Sequence, residues 1–268
     1  MKSNRGRLNL LTAAKAPLAI AFLGFLIIVS IQGCASKSSP NVGKQVEATR
    51  ELGVVLMNEG QSRAALREFL KAEQLDPKNV KVQDYLGLVL LTLGRPQEAL
   101  EHFNQAVKLD PGYLSSKNNL GCAYLELEQW DNAITVFQDL LADLTYPTPW
   151  KPAANLGWAY FSKGDLDKAR EYYLMSVDQS PGYAQGWRGL GKVYLEDGNS
   201  QKALYALEKA VLLAPNFAEA YFELGEAYLR SGHRSKAQQA WDKVCVLTPD
   251  SEVCAKATAK IRTLQTTW

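Results

Sequence analysis

The side chains that most often carry enzymatic chemistry are few in this sequence, and their spacing matches no catalytic or metal-binding motif. It contains two histidines, His102 and His233, and neither has a nucleophile, carboxylate or second ligand at the spacing that such a motif requires. Gly189-Leu190-Gly191 could suggest a nucleotide-binding turn, but it lies inside a helical pattern with no preceding strand. We therefore predict that the protein is not an enzyme and has no metal site and no cofactor.

The cysteines point to covalent chemistry of other kinds. Cys245 lies late in a predicted helix near the end of the chain, and Cys254 lies early in the next one. A disulfide bond between them would fasten the last helix to the helix before it, and closing so short a loop contributes about 2 to 3 kcal/mol. The alternative is two buried thiols that never pair, since the sequence does not show their geometry. Cys122 has no evident partner.

Cys34 follows a segment with the layout of a signal peptide. Four basic side chains come first: Lys2, Arg5, Arg7 and Lys15. A mostly apolar run over residues 18–31 follows, and a helix of that length rises about 21 Å, short of the roughly 30 Å that a membrane span must cross. Ile31-Gln32-Gly33-Cys34 resembles the bacterial lipoprotein box, in which the cysteine is acylated. An ordinary cysteine after a normal cleavage site is the alternative.

Acylation would make Cys34 the N-terminus of the mature chain, and several acyl chains on one residue suffice for lasting membrane attachment. We therefore predict a signal peptide at residues 1–33 and a lipidated, flexible tether at residues 34–45. Ala35, rather than an aspartate, follows the cysteine. In enteric-type sorting this implies the outer membrane, so we expect a lipoprotein of the bacterial cell envelope that faces the periplasm.

The charge balance argues against a nucleic-acid partner. Of the 30 basic residues four lie within residues 1–33, whereas none of the 28 acidic residues does, so the mature chain has a net charge of −2. A nucleic-acid-binding protein needs a dense basic face. We expect a protein partner instead.

Leu-Gly pairs recur along the sequence at spacings of 34, 34, 36, 34 and 34 residues. They are Leu52-Gly53, Leu86-Gly87, Leu120-Gly121, Leu156-Gly157, Leu190-Gly191 and Leu224-Gly225. An alanine follows every one of these glycines by twelve residues, and a large apolar side chain follows each alanine by four. Proline stands eight residues further in every unit except the third. A period of this length indicates stacked helical hairpins.

The pattern resembles the tetratricopeptide repeat over residues 46–251. The resemblance implies an all-α fold, an α-solenoid of six such repeats, and residues 252–268 are predicted to form a C-terminal capping helix with an apolar face. The small residues of each unit let its two helices approach closely. Glycines stand where the first helix of five units must stop: Gly60, Gly94, Gly164, Gly198 and Gly232.

In this repeat class the first helices line a concave groove, which implies a set of residues that a partner would meet. They are Leu88, Leu91, Leu125, Trp158, Phe161, Arg188, Lys192, Leu195 and Phe222. Aromatic and arginine side chains dominate protein interfaces, so Trp158 and Phe161 are candidate anchors. The alternative is that both rings pack within their own hairpin.

The two extra residues of the third unit fall in a proline-rich joint, residues 144–152. Here the chain resembles the pilotin-type lipoproteins of type IV pilus biogenesis, through Tyr146-Pro147 and Asn155-Leu156-Gly157. The resemblance implies a partner, the outer-membrane secretin, whose assembly such lipoproteins assist. A general envelope scaffold that recruits hydrolases or polysaccharide machinery is the competing hypothesis.

Overall fold

The computed structural model describes residues 40–266, and this part of the chain folds into thirteen α-helices and no strand. In chain order the helices are α1 Pro40–Asn58, α2 Ser62–Leu75, α3 Val80–Thr92, α4 Pro96–Leu109, α5 Leu114–Glu126, α6 Trp130–Ala142, α7 Trp150–Ser162, α8 Leu166–Gln179, α9 Ala184–Glu196, α10 Ser200–Leu213, α11 Ala218–Arg230, α12 Arg234–Leu247 and α13 Glu252–Thr266. None of these helices combines the length and the apolarity that crossing a bilayer requires.

Helices α1 to α12 pair into six hairpins, and each hairpin packs against the next through its second helix. The final helix, α13, packs on α12 and α11 at the end of the stack. This arrangement confirms the predicted solenoid of six hairpins with a C-terminal capping helix. Because one hairpin cannot cover both of its apolar faces, most of its stability must come from its neighbours.

The core of each hairpin is built on contact between the glycine of the Leu-Gly pair and the large apolar side chain of the second helix. A Cβ atom added to that glycine would lie only 2.3 to 2.8 Å from the ring or branched side chain opposite. The six pairs are Gly53–Phe69, Gly87–Phe103, Gly121–Phe137, Gly157–Tyr173, Gly191–Leu207 and Gly225–Trp241. The helices therefore approach at a distance that no larger residue than glycine would permit.

The turn inside each hairpin requires a left-handed backbone. Glycine supplies it in five hairpins, with φ between 70° and 81°, as the sequence predicts. In the third hairpin Glu128 adopts the same conformation, with φ of 55°.

The first helix begins earlier than predicted. The expected tether, residues 34–45, is helical from Pro40 onward, and that part of the prediction is wrong. Proline suits the first position of a helix because it has no amide hydrogen to leave unpaired. Val46 then buries its side chain in a cluster with Phe69 and Val82, which holds the start of α1 on the stack. The predicted signal peptide, Cys34 and the rest of the tether lie outside the described residues.

The proline-rich joint between α6 and α7 is anchored rather than loose. Tyr146 is buried in the same core cluster as Ala154 and Tyr160. The hydroxyl of Ser176 donates a hydrogen bond of 2.8 Å to the carbonyl oxygen of Trp150 at the start of α7. The longer connection therefore has a defined course between the third and fourth hairpins.

The C-terminal helix covers the apolar end of the last hairpin. Ala257 and Leu264 of α13 are buried in one cluster with Trp241 and Val244. A disulfide bond joins Cys245 to Cys254, with their Cα atoms 4.7 Å apart, so α12 and α13 are covalently linked.

Candidate protein-binding groove

The first helices of the hairpins form the inner, concave face of the stack. Each of them contacts the first helix of the next hairpin, from α1 through α11. The second helices make no such contacts with one another among the described elements. Because the first helices lie closer together, the stack curves toward them, and the groove lies on their side.

Three of the nine predicted groove residues lie together. Trp158 of α7 and Arg188 and Lys192 of α9 line one cleft of about 350 Å³. Its other walls include side chains that the sequence did not assign to the groove: Glu126, Asn155, Tyr173, Tyr183 and Gln185. The cleft thus spans the third, fourth and fifth hairpins.

Trp158 and Phe161 stack on each other at the edge of this cleft, with ring centroids 5.9 Å apart and planes 15° from parallel. The Nζ atom of Lys192 lies 4.2 Å from the centroid of the Trp158 ring and 4.9 Å from that of Phe161. This is the geometry of a cation–π contact with two rings. Phe161 also packs on the core, whereas Trp158 remains 36% exposed. Trp158 is therefore the ring that a partner could reach.

Lys192 is a half-buried cation without a carboxylate partner. No carboxylate oxygen of the described residues lies within 4.0 Å of its Nζ atom. Burial lowers the pKa of Lys192, because a charged ammonium group is less favourable away from water; nearby Glu223 opposes this shift. The cleft therefore has a positive group whose charge the protein does not fully compensate.

Arg188 is held by a buried carboxylate, a residue that sequence analysis missed. Its Nε and Nη2 atoms donate hydrogen bonds of 2.8 and 2.7 Å to the two carboxylate oxygens of Glu223 on α11. Burial raises the pKa of Glu223, and the guanidinium group of Arg188 opposes that rise. The two residues lie 35 positions apart in the sequence, close to one repeat length. This separation is the sequence feature that could have predicted the pair. The pair fixes the position of Arg188 in the wall of the cleft.

The other predicted groove residues have different environments. Leu195 is only 6% exposed and packs in the core with Ala203 and Leu207, so its assignment to the groove is wrong. The same cluster includes Leu224 of α11, so Leu195 at the end of α9 lies between its own hairpin and the next one, and burying it there removes apolar surface from water. The remaining residues are half-buried and do not line this cleft: Leu88, Leu91, Leu125 and Phe222.

Comparison with known families agrees with this architecture. The chain matches the tetratricopeptide repeat over residues 50–113 and 118–184. A second family model of the same repeat matches residues 90–145 and 194–261. The chain belongs to the tetratricopeptide repeat family. It is accordingly a scaffold for protein interaction, and repeats of this kind are generally non-catalytic.

Several solved tetratricopeptide repeat structures resemble this one. PilW, described as a widely conserved type IV pilus biogenesis factor, is 22% identical with a TM-score of 0.69, over 80% of this chain and 98% of PilW. PilF of Pseudomonas aeruginosa is 18% identical with a TM-score of 0.66, over 82% of this chain and 99% of PilF. A tetratricopeptide repeat protein from Parabacteroides merdae is 17% identical with a TM-score of 0.70, over 82% of this chain and 84% of that protein. No curated protein sequence matches significantly.

Within the repeats, the remaining motif candidates have structural roles. Gly189 packs against the ring of Tyr173, and a Cβ atom there would lie 2.0 Å from its Cε1 atom. The Nδ1 atom of His102 lies 2.7 Å from Oε1 of Gln83, whose amide donates to Glu73. His233 is the capping residue just before the second helix of the last hairpin, and its ring lies next to that of Tyr228. Within residues 40–266 no cluster of potential metal ligands occurs.

Proposed function

We propose that this chain is an outer-membrane lipoprotein that faces the periplasm and assists assembly of the type IV pilus secretin through its concave groove. The lipoprotein-box residues before Cys34 support the anchor. The pilus assignment rests on the length of the repeat stack, which this chain shares with the pilus biogenesis factor PilW and with PilF. The match covers 98% of PilW and 99% of PilF.

The cleft of the third to fifth repeats is the proposed contact site on this scaffold. It combines an accessible indole, Trp158, with the ammonium group of Lys192, which lies 4.2 Å from the centroid of that ring. An aromatic side chain in a pre-formed cleft provides contact area at little entropic cost. A partner segment with an apolar side chain beside an acidic one would complement this pair.

A deletion strain tests the proposal. Without this protein, we expect detergent-resistant secretin multimers to be strongly reduced while secretin monomers persist, and the wild-type gene to restore the multimers. Normal multimers in the deletion strain would refute the role in secretin assembly. If enzymes or polysaccharide proteins then co-purified in place of the secretin, the general envelope scaffold would be the better hypothesis.

The groove is tested in the same strain with matched variants. Trp158→Ala and Lys192→Gln should reduce secretin multimers several-fold without changing the amount of the lipoprotein, because both side chains lie at the cleft surface. Tyr205→Ala is the control, since Tyr205 is an exposed aromatic on α10, a second helix. Equal multimer levels in all three variants would exclude this cleft as the contact site.

A further inference from the structure

The first hairpin has an apolar face that the stack leaves uncovered. The leucine of the Leu-Gly pair is between 0% and 6% exposed in the second to sixth repeats, at Leu86, Leu120, Leu156, Leu190 and Leu224. Leu52, the same residue in the first repeat, is 48% exposed. In later repeats this position packs toward the preceding hairpin, and within residues 40–266 no helix precedes α1.

Leu52 belongs to a strip along α1. Ala48 lies one turn before it and Val55 one turn after it, and these three residues share one face of the helix. Ala48 is exposed and Val55 is 52% exposed. We call these residues, Ala48, Leu52 and Val55, the α1 strip. The other end of the stack has no such face, because α13 covers it.

Charged groups near the strip indicate the kind of surface that it fits. Lys44 lies one turn before Ala48, is exposed, and has no carboxylate oxygen within 4.0 Å among the described residues. Glu51 borders the strip and is also exposed, but its carboxylate is paired with Arg50 at 3.7 Å. A small apolar strip that continues into an unpaired lysine suits the interface of a bilayer that contains anionic lipids.

We propose that the α1 strip rests on the lipid headgroup region of the membrane to which the protein is anchored. The inference rests on the lipid anchor of the proposed function. Five residues separate Cys34 from Pro40 in the sequence, and a fully extended chain of that length spans at most about 20 Å. An acylated Cys34 would therefore hold α1 near the bilayer surface. The anchor would thereby give the α1 strip a high effective concentration at the bilayer. Under that condition the strip can contact the membrane even if it binds too weakly to do so without the anchor.

Fluorescence quenching in vesicles tests this placement. The full lipidated protein carries an environment-sensitive fluorophore on Val55→Cys, or on Leu212→Cys of α10 as the control, since Leu212 is 72% exposed on a second helix. The vesicles contain phosphatidylethanolamine and phosphatidylglycerol, with a nitroxide on some headgroups. We expect the Val55→Cys label to shift to shorter wavelength and to be quenched several-fold more strongly than the control label.

Each other outcome overturns the inference in a distinguishable way. A protein that does not float with the vesicles would refute the anchor, and the strip placement with it. A protein that floats but shows equal quenching at both labels would refute the strip placement alone. A Val55→Cys label that shifts without lipid quenching, together with crosslinked dimers, would identify a second copy of the chain as the occupant and refute the membrane contact.

Discussion

Glu128 occupies a backbone conformation that glycine occupies in the other five repeats. Its φ is 55°, and a side chain in this left-handed region costs about 1 to 2 kcal/mol because its Cβ atom crowds the backbone. The third repeat therefore carries a local strain at its turn that its neighbours avoid.

Replacing this residue should stabilise the protein. We expect Glu128→Gly to raise the free energy of unfolding by about 0.5 to 1 kcal/mol, since the relief of strain exceeds the added flexibility of the unfolded chain. Urea denaturation followed by circular dichroism measures the change. Glu128→Ala is the control, because alanine keeps the Cβ atom and should give no comparable gain. A similar gain in both variants would show that the carboxylate, rather than the backbone, is the cause.

Cys122 lies on the groove face of α5, and its thiol is expected to be unreactive. Burial raises the pKa of its thiol to about 12, nearby Glu126 adds to the rise, and a contact from the Asn155 amide, 3.6 Å from Sγ, opposes it. The thiolate is the reactive form. In the folded protein Cys122 is therefore expected to remain a neutral thiol at physiological pH.

Alkylation rates test this prediction. A form that starts at residue 35 has Cys122 as its single free thiol while the disulfide bond is intact. Relative to the ordinary pKa of 9.0, a value of about 12 lowers the thiolate fraction at pH 8 by about 1000-fold. We expect iodoacetamide to react at least about 100-fold more slowly than in the urea-unfolded chain. Equal rates would mean that the thiol is accessible and normally acidic.

At the scale of helices, the close approach of neighbouring elements depends on glycine. The ring of Tyr173 on α8 lies between Gly157 of its own hairpin and Gly189 of the next one. Both glycines face the ring at distances that a methyl group would violate, so this residue joins two hairpins. The contact is part of the floor of the candidate cleft, which Tyr173 and Gly189 also line.

Filling that space should separate the helices. A Cβ atom at Gly189 would lie 2.0 Å from Cε1 of Tyr173, so Gly189→Ala is expected to lower the free energy of unfolding by about 1 to 3 kcal/mol. Gly182→Ala is the matched control, because nothing lies within 4 Å of a Cβ atom there, and its stability should change by less than about 0.5 kcal/mol. Thermal denaturation compares the two. No loss in Gly189→Ala would mean that the ring moves aside without cost.

At the scale of the whole molecule, the stack depends on its ends. Each hairpin contacts only its neighbours in sequence, so the first and last hairpins each have another hairpin on one side only. The C-terminal end is covered by α13 and linked by a disulfide bond, whereas the N-terminal end exposes Leu52 and Val55. The two ends are therefore stabilised differently.

The disulfide bond should matter most at the C-terminal end. Removing it with the double change Cys245→Ser and Cys254→Ser is expected to lower the free energy of unfolding by about 2 to 3 kcal/mol, because the unfolded chain loses a short closed loop. Denaturation of the wild type with reductant should give the same loss. Cys122→Ser is the control and should leave the response to reductant unchanged. If reductant has no effect on the wild type, the bond does not stabilise the fold.

The period of the sequence by itself determined the pairing of helices, five of the six turns and the stacking of six hairpins. This was possible because the glycine, alanine and large apolar residue of each unit act locally, within a single hairpin, as Gly87 and Phe103 do. The sequence also placed Cys245 and Cys254 on adjacent helices, although only their geometry in the fold brings their Cα atoms to 4.7 Å.

Only the tertiary structure decided which side chains of the first helices face the groove. That outcome depends on how each hairpin is rotated against the next, which the repeat period does not specify. Rotation buries Leu195, joins Arg188 to Glu223 and places Lys192 over Trp158. Leu52 is exposed for a different reason. A preceding hairpin buries the equivalent leucine in the other five repeats, but no hairpin precedes the first repeat among the described residues.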